Sequence, residues 1–203
     1  MDQVSQAAGE FFYVLKDDLR LLYVDDDPIL REFAQVHLTS ETAHVETAED
    51  GLAGLAAIAA SPPDVVLLDL EMPRLDGFEV LSRLRADPAT ARMPVIVATG
   101  REDVGAIDRA FQLGATSFVV KPLNWRLLSY QILYVHRTHQ DELALLAARD
   151  QALQALDGLT AAGSRFLAQA LTLAPTLKSD AGAYLGALED SSVAARRVTG
   201  AGG

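Results

Sequence analysis

Five polar side chains suited to chemistry stand directly after short apolar runs. Asp25 and Asp26 follow residues 19–24, Asp69 follows 65–68, Thr99 follows 95–98, and Lys121 follows 117–120. Asp25, Asp26 and Asp27 are adjacent, and three neighbouring carboxylates repel one another, so the cluster invites a bound cation or a nearby lysine. Asp69 ends the run VVLL, which reads as a strand buried on both faces. A charge at the end of such a strand is costly unless something there needs it. Plainer readings exist for both. With Pro28 behind it, the acidic cluster also reads as a turn capping a helix, and Asp69 also reads as a helix cap or loop residue.

The elements that must position these groups follow from the pattern. Strands are predicted over residues 19–24, 44–48, 65–68, 95–98 and 117–120, and helices over 29–38, 51–60, 78–86 and 103–113. The first helix has the apolar stripe Ile29, Phe33, Val36 and Leu38, and the third turns Val80, Leu81 and Leu84 inward. Pro62 and Pro63 follow the second helix, and Gly114 closes the fourth as a C-cap. Regular alternation of strand and helix predicts an α/β fold, a doubly wound parallel sheet with helices on both faces and right-handed crossovers. Ligands bind such sheets beyond the carboxyl ends of the strands. All five polar groups stand at that edge, which favours the chemical reading over the capping one.

Composition bounds the rest. The chain has 203 residues, half of them hydrophobic, enough for one domain plus an extension. It has no cysteine, hence no disulfide framework and no thiolate metal site. No basic leader precedes an apolar run, and nothing approaches the roughly 20 apolar residues that span a bilayer. A soluble, cytoplasmic protein that does not enter membranes is the expectation. The net charge of −11 is confined to residues 1–123, with 21 acids against 10 bases, whereas residues 124–203 carry seven of each. Neither part has the basic stripe that phosphate backbones require, so direct nucleic-acid binding is disfavoured.

Residues 1–18 form a polar leader containing FFYVL at 11–15, a short strand or a helical turn. From Trp125 onward a helix is predicted that no proline interrupts before Pro175 and no glycine before Gly158. Steps of four and three select Leu128, Ile132, Val135, His139, Glu142, Leu146, Arg149, Leu153 and Leu156. Six of these nine are apolar, a seam interrupted at its middle. One long helix, or two with a bend near His139, is expected. Residues 157–164 then read as a turn, 165–174 as resumed helix, 179–197 as a last helix, and 200–203 as a disordered end. The extension, residues 125–203, is thus an all-α long helix followed by a helical hairpin or coiled-coil-like segment, suited to a partner helix in this chain or another subunit.

Four motifs, YVDDDP at 23–28, DLEMPRLDG at 69–77, VATG at 97–100 and GATSFVVKP at 114–122, occur in one order. In them the chain resembles the response-regulator receiver domains of two-component signalling, chemotaxis regulators included, over residues 19–124. The resemblance implies a five-stranded sheet of flavodoxin-like order. It makes Asp69 the phosphoacceptor, with Mg²⁺ or Mn²⁺ held directly by Asp26 and Asp69, by the backbone carbonyl of Glu71, and through water by Asp25. Lys121 is the second cation, while the Thr99 hydroxyl and the Gly100 backbone N–H take phosphoryl oxygens. Phe118 holds the switch position where the family often has tyrosine or histidine, and reports the movement of Thr99 by burial. Pro122 follows a cis peptide bond. Glu71 and Arg101 tune the life of the acyl phosphate by pairing across the pocket mouth. No catalysis beyond its own phosphorylation and dephosphorylation is implied. The phosphodonor is a sensor histidine kinase or phosphotransfer protein, and the signal passes to a downstream protein partner or through homodimerisation of the tail.

The tail shows no basic helix-turn-helix, no nucleotide-binding glycine loop and no cyclase or phosphodiesterase signature. An alternative function is phosphorelay phosphotransfer, in which a helical hairpin presents a histidine, for which His136 and His139 are the candidates. A further one is a degenerate kinase-like adaptor. SRFLAQA at 164–170 is faintly similar to the dimerisation helix of sensor kinases, yet no histidine follows His139.

Overall fold

In the computed structural model of the chain, the described residues are Leu15, 17–100, 104–173, 186–187 and 190–191. Strand and helix alternate as β1 (Leu19–Val24), α1 (Pro28–Leu38), β2 (Ala43–Ala48), α2 (Gly51–Ala60), β3 (Val65–Asp69), α3 (Gly77–Ala86), β4 (Val95–Thr99), α4 (Val104–Gln112), β5 (Ser117–Val120) and α5 (Trp125–Leu173). The strands form one sheet in the order β2-β1-β3-β4-β5, and every pair is parallel. This is the flavodoxin-like order expected. Its register sets Val24 beside Leu68, Asp69 beside Ala98 and Thr99 beside Val120, so the strands end together at one edge.

Side-chain alternation divides the sheet's residues between two apolar layers. Leu22, Val24, Val66, Leu68, Val95 and Val97 share a buried cluster with Ile58 of α2, Val80, Leu81 and Leu84 of α3, and Ala110 of α4. Leu21, Tyr23, Val65, Leu67, Ile96 and Ala98 share the other with Ala34 and Leu38 of α1 and Leu128, Ile132 and Val135 of α5. Buried on both sides, β3 and β4 are apolar throughout until Asp69 and Thr99. Aspartates start three helices, since the carboxylates of Asp27, Asp50 and Asp76 accept from the N–H groups of Ile29, Ala53 and Glu79.

Of the stripe expected on α1 only Leu38 is buried. Ile29, Phe33 and Val36 are exposed, and Leu30 and Ala34 face the sheet with Leu38 in their place. Both rows satisfy helical spacing, and the small side chain of Ala34 lets the backbone approach the strands where phenylalanine would hold it away. The FFYVL segment lies outside the described residues apart from Leu15, which is buried. The Lys121–Pro122 peptide is cis, as the resemblance implied.

The turn expected at residues 157–164 is not formed. Helix α5 runs unbroken for 49 residues through Gly158 and Gly163. Each glycine costs only about 1 kcal/mol against alanine, and the leucines and alanines around them are good helix formers with no proline among them. Thr160 donates its hydroxyl to the Leu156 carbonyl at 2.9 Å within the same turn. The last predicted helix falls outside the described residues except for residues 186–187 and 190–191, which are helical. Contacts divide the chain into Met1–Gln140 and Asp141–Gly203. Among the described residues no helix is long and apolar enough to cross a membrane.

A Cβ at Gly158 would meet nothing within 4 Å. Gly158→Ala is therefore expected to stabilise the extension by about 0.5–1 kcal/mol, while Gly158→Pro costs about 3 kcal/mol or more. Circular dichroism melts would register a turn at this position as the reverse ranking.

Candidate functional site

Where β1, β3 and β5 end, their last residues meet. Asp25 and Asp69 are buried, Asp26 is exposed, and the three carboxylates each present an oxygen within 4.8 Å of the others. Lys121 Nζ lies 2.7 Å from Asp25 Oδ2 and 3.0 Å from Asp69 Oδ2. One ammonium, from the end of β5, thus reaches past β4 to serve two carboxylates at the ends of the neighbouring strands β1 and β3. Thr99 is buried at the end of β4, one position along the sheet from Asp69, and Gly100 beyond it is exposed.

The acidic turn satisfies both of its readings at once. Asp27 caps α1, while Asp25 turns into the site and accepts the Asp27 N–H at 2.9 Å on Oδ1. Arg31 Nη1 holds the backbone of the same turn through the Asp25 carbonyl at 2.7 Å. On the opposite side, the loop after β3 folds back sharply. A Cβ at Gly77 would lie 2.2 Å from the Asp69 carbonyl oxygen, so only glycine allows the loop to close over the end of the strand. Arg74, at φ 70°, pairs with the buried Asp50 carboxylate and with Glu49 at 3.4 Å, tying that loop to the start of α2.

These surroundings decide the protonation of the groups. Burial, aided by the Asp25 charge, pushes the Asp69 carboxyl up to about 6, although Lys121 and the Glu71 N–H pull it down. Burial also works against the Lys121 ammonium, but its bonds to Asp25 and Asp69 prevail and hold it above its ordinary value. The Tyr23 phenol donates to Asp25 Oδ2, and burial together with that bond drives its ionisation far upward. All the donors at the metal-competent position are oxygens, the set that suits a hard divalent cation, and three carboxylates against one ammonium leave negative charge for it to neutralise.

Of the residues expected at the site, Asp25, Asp26, Asp69 and Lys121 come together, and Thr99 and Gly100 end the intervening strand. Glu71 is exposed just beyond Asp69, and Arg101 lies outside the described residues. Phe118 is exposed on β5, its ring edge-on to Phe111 of α4 at 5.9 Å between centroids. Sequence reasoning assigned no task to Tyr23, Arg31 or Arg74. For Tyr23 a signal was present, because residues two apart on a strand share a face and Tyr23 precedes Asp25 by two.

A family model described as the response regulator receiver domain matches residues 21–132. The DNA-binding dual master transcriptional regulator RpaA of Synechocystis sp. is 35% identical over 105 residues, covering 52% of this chain and 44% of that protein. Response regulator PleD of Caulobacter vibrioides is 38% identical over 105 residues, covering 52% of this chain and 23% of that protein. Among solved structures, the chemotaxis protein CheY4 of Vibrio cholerae matches with a TM-score of 0.55 at 29% identity, covering 58% of this chain and 98% of that one. The chain spans less than half the length of these two curated relatives.

Folding raises the Asp69 carboxyl from 3.8 to about 6, so its contribution to stability is complete below pH 4 and is lost as pH rises through 6. In chelator, Asp69→Asn is expected to be more stable than the parent by roughly 1–3 kcal/mol at pH 7.5, the gap closing toward pH 4. Urea unfolding at the two pH values measures it, and a pH-independent gap would contradict the assignment.

Proposed function

The chain belongs to the response regulator receiver domain family, and we propose that it is a two-component signalling protein that accepts a phosphoryl group on Asp69. The observation that carries this reading is the Lys121 ammonium shared between Asp25 and Asp69 at the strand ends. An Asp69 oxygen attacks phosphorus in line. The bond from phosphorus to the donor atom breaks, its electrons leave with the donor, and an acyl phosphate remains. Bringing an anionic phosphoryl to an anionic carboxylate is opposed by charge, which Lys121 offsets from one side. Mg²⁺ or Mn²⁺, when bound, supplies further positive charge there. Asp26, Asp69 and the Glu71 carbonyl are the residues to hold it, with Asp25 acting through water. The Thr99 hydroxyl and Gly100 N–H receive phosphoryl oxygens, and Phe118 reports the change by moving inward. We assign Glu71 and Arg101 to tuning the lifetime of the product. A sensor kinase or phosphotransfer protein is the natural donor.

For output we favour self-association of the helical tail over histidine phosphotransfer. His136 is buried with Nδ1 lacking a hydrogen bond, a poor position for an enzyme-presented phosphohistidine. The anticipated seam divides along α5. Leu128, Ile132 and Val135 are spent in the core, Leu146 and Leu153 are half-buried, and Leu156 is exposed. A second register one residue earlier, Leu145, Ala148, Ala152, Ala155, Leu159, Ala162 and Phe166, is exposed at alternating steps of three and four, with Leu145, Leu159 and Phe166 each 72% accessible.

Two experiments follow. Incubation with acetyl phosphate and Mg²⁺ is expected to give an acid-stable but hydroxylamine-sensitive label that Asp69→Asn and chelator abolish and Lys121→Ala reduces on the order of tenfold or more. A label surviving Asp69→Asn overturns the assignment. In light scattering of the full chain, Leu145→Glu with Leu159→Glu is expected to weaken self-association by roughly tenfold or more, since two leucines are lost from a dimer core. An unchanged mass under dilution would remove the tail from that role.

A further inference from the structure

The Tyr23 ring needs no hydroxyl to do its packing. It lies wholly inside the layer shared by α1 and α5, where phenylalanine would fill similar space. A phenol placed there must find an acceptor, and strand alternation aims it along β1 at Asp25. Asp25 Oδ2 thereby has two donors, the Tyr23 hydroxyl and Lys121 Nζ at 2.7 Å, while Oδ1 accepts from the Asp27 N–H at 2.9 Å.

These donors differ in freedom. The ammonium stands on a flexible stem and already reaches Asp69 Oδ2 at 3.0 Å. Added negative charge on Asp69 draws it further that way. Asp25 is completely buried, and a sealed carboxylate that loses its ammonium is expensive unless other donors remain. The phenol is rigid, neutral and locked in the core, so it cannot follow the lysine. We propose that Tyr23 is a positioning residue whose hydroxyl holds Asp25 in place while Lys121 shifts from Asp25 toward a phosphoryl group on Asp69. The inference rests on the reading of Asp69 as phosphoacceptor. It makes the tyrosine matter more for the phosphoryl-loaded state than for the unloaded one.

The test uses the full chain with Tyr23→Phe, beryllofluoride as the phosphoryl mimic, and calorimetry for both ligands. Expected is about a tenfold loss of beryllofluoride affinity, the scale of one hydrogen bond to a charged group, with Mg²⁺ affinity alone changed less than about threefold. Placing p-aminophenylalanine at position 23 restores an N–H donor and is expected to recover most of the loss, which also separates the effect from any defect in folding. Beryllofluoride affinity within about twofold of the parent overturns the proposal, as does an equal loss for Mg²⁺ alone and for beryllofluoride, or a loss that the amino analogue does not rescue. Failure of the parent itself to bind beryllofluoride sinks the phosphoacceptor reading instead.

Discussion

The arrangement depends on one ammonium held between two carboxylates in a place with little water. Lys121 Nζ within 3.0 Å of both Asp25 and Asp69 stabilises charges that burial would otherwise penalise. A lysine placed away from the site would leave Asp25 and Asp69 to repel each other inside the rim of the sheet. The compensation is incomplete, since Asp69 is still pushed up to about 6. The site therefore retains a demand for positive charge, which suits it to a divalent cation.

The parallel sheet is what allows this concentration of charge. The inner strands β3 and β4 are sealed by helices above and below until they end, and the ends align because the register of neighbouring pairs is shared. The turns around the site are fastened with short-range devices. Asp27 caps α1, Arg31 grips the Asp25 carbonyl, Gly77 lets the loop after β3 fold against the strand, and Arg74 ties that loop to Asp50. These contacts hold the two turns that carry Asp25 and Asp69.

Helix α5 changes character along its length. Its first turns contribute Leu128, Ile132 and Val135 to the core, whereas farther on Leu145, Leu159 and Phe166 are exposed. Charge changes earlier, with the acidic excess before residue 124 and balance from there on. A receiver unit that holds the excess negative charge is thus joined to a charge-balanced helix with apolar surface.

Much of this was legible in the sequence because it is local. Over residues 19–124, alternation of apolar runs with helical periodicity determined the strands and helices nearly to the residue, and the rule that sites lie at strand ends picked out Asp25, Asp26, Asp69, Thr99 and Lys121. The motifs determined the family. What depends on distant neighbours had to wait for tertiary structure. Which row of α1 faces the sheet turns on how closely Ala34 lets it approach. Whether α5 breaks at Gly158 is a balance between a weak local penalty and the helix preference of its surroundings. The sharing of Lys121 joins residues 96 positions apart, and the pairing of Tyr23 with Asp25 depends on a core that seals the phenol on every other side. Residue types and periods act over a few positions, but burial and the meeting of charges belong to the folded chain as a whole.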